Sequence, residues 1–313
     1  MTSAVKAGGG GVEERPVELT GPVSLAGVLR VPAGATRPLP ALVLTGPFTG
    51  VKEQVVGTYA RALAAAGFVT LAFDHRGFGA SDGQPRQHED GPGKLEDLRL
   101  ATSFLAAREE VDPTRLGCVG ICLGGGYALR HSASDRRVQA LAVIAGGFND
   151  PAQMQQGIGA DGYRELMTSF SALDQEQHDT GTVQYVAAVS DDPAVEAVMA
   201  GEEPHAYYGT ERSSTPNWVN QVTRLSVRTL LTVDLAGGAD FLGPTPALVV
   251  HGRTDNFCSP AGAQAIYDRL TGPKDLMWLD TSNHIDLYDQ PAYVDPAVDR
   301  VAGWMTEHLV NRS

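Results

Sequence analysis

Six short, almost wholly apolar runs, residues 41–44, 68–73, 116–119, 138–145, 247–250 and 276–279, recur along the chain with helical patterns between most of them. A strand turns successive side chains to opposite faces, so a strand apolar at nearly every position must be covered on both. Such strands pair in parallel, and each parallel neighbour requires a crossover, usually a helix. The intervening stretches fit this. One helix pattern runs from about Glu53 and stops at Gly67; another carries Leu95, Leu98, Thr102 and Leu105 three or four residues apart. A third lies near 261–270, and the last shows Val298, Val301, Met305 and Leu309. Two β-type runs, 17–19 and 23–31, precede them. The chain is therefore expected to be α/β, a mainly parallel sheet of about eight strands flanked by helices, with its chemistry at the carboxyl ends of the strands.

Residues 147–243 break the rhythm. They are too many for a plain loop in a compact domain, and they hold Tyr163, Phe170, Tyr185, Tyr207, Tyr208 and Trp218. The segment is expected to be a helical lid or cap inserted into a core made of 15–146 and 244–313, with 222–235 running back to the sheet as helix. Tyr207, Tyr208 and Trp218 are then the residues expected to line a substrate pocket. A helical appendage that joins two copies in a homodimer is the competing reading. Residues 1–14, with glycines at 8–11, read as a flexible tail.

The 313 residues carry a net charge of −13. Nucleic acids and anionic membranes both call for a basic face, so neither is the expected partner. No run approaches the roughly 20 apolar residues of a membrane span. Residues 1–12 have one lysine and lack the apolar segment of a signal peptide, which favours a cytoplasmic location. The three cysteines, Cys118, Cys122 and Cys258, are an odd number in a long chain and imply free thiols rather than a disulfide framework. The glycines at 124–126 are followed by neither a P-loop Lys-Ser/Thr nor dinucleotide spacing, so no cofactor or metal is expected and the partner is a small-molecule substrate.

Chemistry concentrates in Gly120-Ile121-Cys122-Leu123-Gly124-Gly125-Gly126, which follows one apolar run and opens a helix pattern. This is a G-x-C-x-G form of the nucleophile elbow, a strained turn that lifts a side chain above the sheet. Glycines two positions before and after leave room for the turn. The amides of the following helix face the same point and favour a thiolate and then an oxyanion. Cys122 is the candidate nucleophile. Asp255, just past the run 247–250, and His284, on the loop after 276–279, complete the order nucleophile, acid, histidine. The histidine would take the thiol proton and later protonate the leaving group, while the acid fixes its tautomer. Such a base implies a rate that falls below roughly pH 6 to 7. Asp280 and Asp286 are rival acids, Asp286 being better placed to brace the loop. The backbone amides of Phe48, after the run 41–44, and of Leu123 are the candidate oxyanion hole; Pro47 has no N–H to offer.

With Gly50-Val51-Lys52-Glu53-Gln54, Phe73-Asp74-His75-Arg76-Gly77-Phe78-Gly79-Ala80-Ser81 and His284-Ile285-Asp286-Leu287-Tyr288-Asp289, these strings resemble the α/β-hydrolase superfamily. Within it they look most like the dienelactone-hydrolase-like branch with a cysteine nucleophile. The resemblance spans about residues 15–310 and is scattered across the insertion. Dienelactone hydrolases are shorter and carry a glutamate where this chain has Gly46-Pro47-Phe48. The resemblance implies a hydrolase acting on an ester, lactone or thioester of a small organic acid through a Cys-His-Asp triad and an acyl-cysteine intermediate. A lyase, cyclase or acyltransferase on the same site is the alternative, with the lid excluding water.

Overall fold

The computed structural model describes residues 11–311. An antiparallel pair, β1 (Val12–Leu19) and β2 (Leu25–Pro32), comes first. Strands and helices then alternate: β3 (Leu39–Thr45), α1 (Val55–Ala65), β4 (Val69–Phe73), α2 (Gly91–Ala106), β5 (Val111–Ile121), α3 (Leu123–Ser134) and β6 (Val138–Ile144). The next segment holds α4 (Pro151–Ile158), α5 (Ala160–Thr180), β7 (Tyr185–Ser190), β8 (Ala197–Ala200), α6 (Glu202–Tyr208), β9 (Val222–Thr223), α7 (Leu225–Thr232) and α8 (Gly238–Phe241). The chain continues as β10 (Ala247–Gly252), α9 (Pro260–Arg269), β11 (Lys274–Leu279), α10 (Asp286–Asp289) and α11 (Pro291–Met305).

Eight strands form one sheet in the order β1-β2-β4-β3-β5-β6-β10-β11. Only β1 with β2 and β2 with β4 are antiparallel; every other neighbouring pair is parallel. Because side chains alternate along a strand, the apolar runs feed two cores. Val43, Leu71, Leu141 and Val143 pack with Leu98 and Leu105 of α2 and Leu129 of α3. Their sequence neighbours Leu42, Leu44, Ala142 and Ile144 pack on the other face with Tyr59 and Leu63 of α1 and Val301 and Trp304 of α11. Each such buried side chain contributes about 1.5–3 kcal/mol relative to exposure. α1 ends where expected, Gly67 taking φ +103°. α2 starts at Asp90, whose carboxylate accepts from the Gly93 amide at 2.9 Å.

Two expectations are corrected. Residues 1–10 of the expected tail lie outside the described residues, but 12–14 are strand rather than tail: Val12, Glu13 and Glu14 pair with Pro32, Val31 and Arg30. Apolar packing anchors only the end of this edge strand, at Val17 and Leu19, while its first half is largely exposed and held in part by charge, which hid it from a search for apolar runs. The Glu14 carboxylate accepts from Arg30 Nε at 3.0 Å and Arg61 Nε at 2.9 Å.

The insertion is not wholly helical. β7, β8 and β9 form a separate three-stranded sheet of order β8-β7-β9. The stretch 222–235 begins as strand, Val222 and Thr223 pairing with Val186 and Tyr185, and helix covers only α7. Polar groups here serve the core loop before α2 instead of a helix: Thr223 N–H donates to Gln87 O at 2.9 Å, and Ser226 Oγ accepts from the Glu89 amide at 2.8 Å. The insertion departs and returns through a neck at Asn149. Its carbonyl accepts from the Leu235 and Ala236 amides at 2.9 and 3.1 Å, and its Nδ2 donates to Leu230 O at 2.6 Å. No helix among the described residues is long and apolar enough to cross a membrane.

Candidate active site

Cys122 sits between β5 and α3 with φ +55° and ψ −130°, a conformation L-residues rarely adopt. Close contact explains the flanking glycines. A Cβ on Gly120 would meet Gly124 O at 2.3 Å, and one on Gly124 would meet Gly46 O at 2.5 Å. The Cys122 amide donates to Ile144 O at 3.0 Å, and its carbonyl accepts from the Gly125 and Gly147 amides at 2.8 Å each. The backbone is thus fixed on both sides while the half-buried thiol projects above the sheet.

His284 and Asp255 arrive from the ends of two neighbouring strands, β11 and β10. His284 Nδ1 lies 2.6 Å from Asp255 Oδ2. The other carboxylate oxygen accepts from the Phe257 and Cys258 amides at 2.9 and 2.7 Å, so both oxygens are held. Neither rival acid reaches the ring: Asp280 is exposed and paired with Arg253, and Asp286 accepts from the Ser282 amide at 2.7 Å, bracing the loop. His284 Nε2 lies 2.9 Å from the Tyr288 hydroxyl. Cys122 Sγ, Cys258 Sγ and a His284 ring nitrogen fall within 4.8 Å of one another. The two sulfurs are 3.8 Å apart. Two sulfurs and an imidazole are also a donor set that a soft metal ion takes; the sequence spacing gave no sign of this grouping.

These neighbours set the charge state. The hydrogen bond from Cys258 lowers the Cys122 thiol well below its ordinary value; burial opposes it, and the His284 charge assists. Burial pushes His284 down, but the Cys122 charge and the Asp255 hydrogen bond outweigh it and raise the imidazole to about 10. Cys258 moves the other way, well above the usual thiol range, because it donates to Cys122 and is buried. Both directions favour a thiolate–imidazolium pair over a neutral thiol beside a neutral ring.

Three contributors lie outside the sequence-derived set. Cys258 stands three residues past Asp255, and Tyr288 stands four past His284; both spacings were visible. Glu203, in α6, was not, since nothing local marks it. Its Oε1 accepts from the backbone amides of His284 at 2.6 Å and Ile285 at 3.4 Å. The three insertion aromatics cluster on the same wall. Tyr207 meets Tyr288 edge-on with ring centroids 4.9 Å apart, and Trp218 stacks on Tyr208 at 5.5 Å. Burial, the neighbouring Tyr207 and the Cys122 charge hold the Tyr208 phenol well above its ordinary value. Phe48 and Leu123 are both buried beside Cys122 in one core cluster, on the loop after β3 and at the first position of α3.

The loop carrying Phe48 is braced from behind by the residues of the string that begins at Phe73. Asp74 binds the Lys52 amide and Nζ, each at 2.7 Å, and His75 Nε2 lies 2.8 Å from Thr45 Oγ1. Desolvation raises the Asp74 carboxyl despite the opposing Lys52 charge. These groups form a rigid underlayer and do not reach the thiol.

The order of the parallel sheet, with a strained turn opening α3 and a histidine–carboxylate pair on two later strands, is that of the α/β hydrolases. Sequence narrows the class: the profile of the family described as serine aminopeptidase, S33, matches residues 48–290, and the chain belongs to that family. Uncharacterized protein PA2218 of Pseudomonas aeruginosa is 32% identical over 306 residues, covering 92% of this chain and 78% of that one. Its crystal structure superposes with a TM-score of 0.85 at 30% identity, covering 95% of this chain and 94% of the other. Uncharacterized protein YcjY of Escherichia coli K12 is also 32% identical, covering 92% of this chain and 95% of its own. Thiohydrolase aneE of Aspergillus aculeatus is 26% identical over 252 residues, 78% of each chain.

Proposed function

We propose that the protein hydrolyses an ester, lactone or thioester of a small organic acid, with Cys122 as nucleophile, His284 as proton carrier and Asp255 as its orienting acid. The observation that carries this is the line from Asp255 through His284, 2.6 Å apart, to a cysteine raised on a positive-φ turn. The Cys122 thiolate attacks the carbonyl carbon, and the carbonyl oxygen takes up negative charge. The amides of Phe48 and Leu123 receive that charge. Leu123 opens α3, where first-turn amides have no intrahelical partner. The His284 imidazolium passes its proton to the departing alcohol or thiol. As a neutral ring it then takes a proton from water, which cleaves the acyl-cysteine thioester and restores the pair. A cysteine at the elbow, in place of the serine of the family's description, is what supports the dienelactone-hydrolase-like reading.

The insertion acts as the lid in this scheme. Glu203 fixes the His284 loop from above, and Tyr207, Tyr208 and Trp218 wall the site. Trp218 Nε1 is buried without a hydrogen-bond partner. A buried unpaired donor is costly, on the order of 1–3 kcal/mol, and a substrate acceptor would relieve that cost. The favoured substrate is therefore an acyl group that is mainly apolar with an acceptor near the carbonyl. The name of the thiohydrolase relative supports the thioester end of the range.

The test is a panel of esters and thioesters of varied acyl length, turned over in oxygen-labelled water. Expected is an acyl adduct on the Cys122 peptide and one labelled oxygen in the released acid. An adduct with unlabelled product identifies transfer to another acceptor, the acyltransferase alternative. Turnover without any adduct removes Cys122 from the nucleophile role.

A further inference from the structure

We propose that Cys122 and Cys258 form a reversible peroxide-oxidisable dithiol, in which Cys258 closes a disulfide onto an oxidised Cys122 and guards it from irreversible damage. Cys258 has no covalent part in acyl transfer, yet its sulfur is placed 3.8 Å from the Cys122 sulfur. A disulfide needs about 2.05 Å, so closure asks for a movement of roughly 2 Å. The two sulfurs ride on loops of different kinds. Cys122 is fixed by the elbow, whereas Cys258 lies on the connection between β10 and α9, beside the exposed Phe257. A cavity of about 270 Å³ lies against that connection, lined by Gly146, Gly147, Phe148, Met154, Phe257 and Cys258. It opens beside Cys258 and leaves room for the Cys258 loop to shift towards Cys122.

The chemistry balances with a hydroperoxide as the oxidant. The Cys122 thiolate attacks the outer peroxide oxygen; the O–O bond breaks, and the departing alkoxide or hydroxide takes the His284 proton. Cys122 is left as a sulfenic acid, the reversible first rung of thiol oxidation. Cys258 then gives its proton to the neutral His284 as its sulfur attacks the Cys122 sulfur. The S–O bond breaks and hydroxide leaves as water with that proton. Two electrons pass from the two sulfurs to the peroxide, yielding a disulfide, one alcohol or water, and one further water. The neighbouring histidine and the resident second thiol are the two features that a redox-responsive cysteine requires. Cys118, buried in the sheet with burial pushing its thiol up to about 12, is the internal thiol that should stay unmodified.

This proposal rests on the reactive thiolate of the preceding section but not on its acyl chemistry, and the test separates the two. Reduced protein in chelator is treated with hydrogen peroxide and digested without reductant. Expected is a cross-linked pair of peptides containing Cys122 and Cys258, lighter by two hydrogens than their sum, with both thiols regained under dithiothreitol. In Cys258→Ala the same treatment should carry Cys122 on to sulfinic acid, which dithiothreitol does not reverse. Iodoacetamide labelling of untreated protein is run alongside. Rapid labelling of Cys122 with no cross-link, or equal irreversible oxidation in wild type and Cys258→Ala, overturns the dithiol alone. Failure of Cys122 to label overturns the thiolate on which both readings rest.

Discussion

The core and the insertion hold the same histidine from opposite sides and by different means. On the core side the fastening is backbone geometry: the turn at Cys122, the contacts that exclude a Cβ at Gly120 and Gly124, and an Asp255 oxygen bound by the amides two and three residues ahead. On the insertion side it is a few side chains reaching from far away in sequence. Glu203 bonds an amide 81 residues on, and Tyr208 and Trp218 stack over the site. Backbone geometry cannot be altered by a single distant substitution, whereas each side-chain contact can be lost alone. Reactivity should therefore depend on the core, and placement and choice of substrate on the insertion.

The comparison is tested first where the core effect is largest. Cys122→Ala should abolish turnover, a loss on the order of 10⁵ in kcat, with the fold intact by circular dichroism because alanine is small enough for the turn. Asp255→Asn should cost less, on the order of 10³, measured as kcat at pH 7. If the two substitutions prove equal in a substrate panel, the acid does more than orient the ring.

The pH profile comes next. The active form needs Cys122 deprotonated and His284 protonated. With the thiol held well below 9 and the imidazole raised to about 10, kcat/KM should climb as the thiol ionises below its ordinary range and fall above about pH 10 as His284 loses its proton. An ordinary histidine base would instead give a single rise near roughly pH 6 to 7 and no fall near pH 10 tied to His284. That profile, with chemistry rate-limiting, would mean that the pair rests neutral.

Smaller effects belong to the insertion. Glu203→Ala removes an acceptor from two loop amides and should lower kcat about tenfold while leaving the rate of Cys122 alkylation by iodoacetamide within about twofold. A parallel fall in alkylation would make Glu203 part of the reactive machinery and erase the division between the regions. Tyr208→Phe should change KM by a few fold, and differently for short and long acyl chains, consistent with one hydrogen bond of about 1 kcal/mol. A uniform change across the panel would remove Tyr208 from substrate selection.

This division also explains what could be read from the chain. The apolar runs at 41–44, 68–73, 138–145 and 247–250 announce strands covered on both faces, and they are. Cys122, Asp255 and His284 are legible because each follows directly on a strand, so sequence position fixes spatial position. Only the first half of β1 was missed: residues 17–19 read as strand, but 13–16 are exposed, with Glu14 paired to Arg30 and Arg61, and charge carries no two-residue period. β7 to β9 were taken for helix because they are short, β9 only two residues, and burial does not alternate along them. Glu203 could not be found, since its role exists only when α6 is laid across the loop after β11. Cys258 and Tyr288 were within reach, as their spacings from Asp255 and His284 place them at the next turn of the same loops.

The neck at Asn149 carries a separate consequence. Residues 150–234 leave and re-enter the core at one hydrogen-bonded clasp, so the span between their two ends is set whatever chain lies beyond it. The entropic cost of a flexible loop rises by only about 0.6 kcal/mol for each doubling of its length. Lineages can therefore lengthen, shorten or exchange that cassette with little penalty to the sheet below. A replacement needs to bring an acceptor to the His284 amide and partners to Gln87 O and the Glu89 amide; the surface left over can be rewritten for a new acyl group.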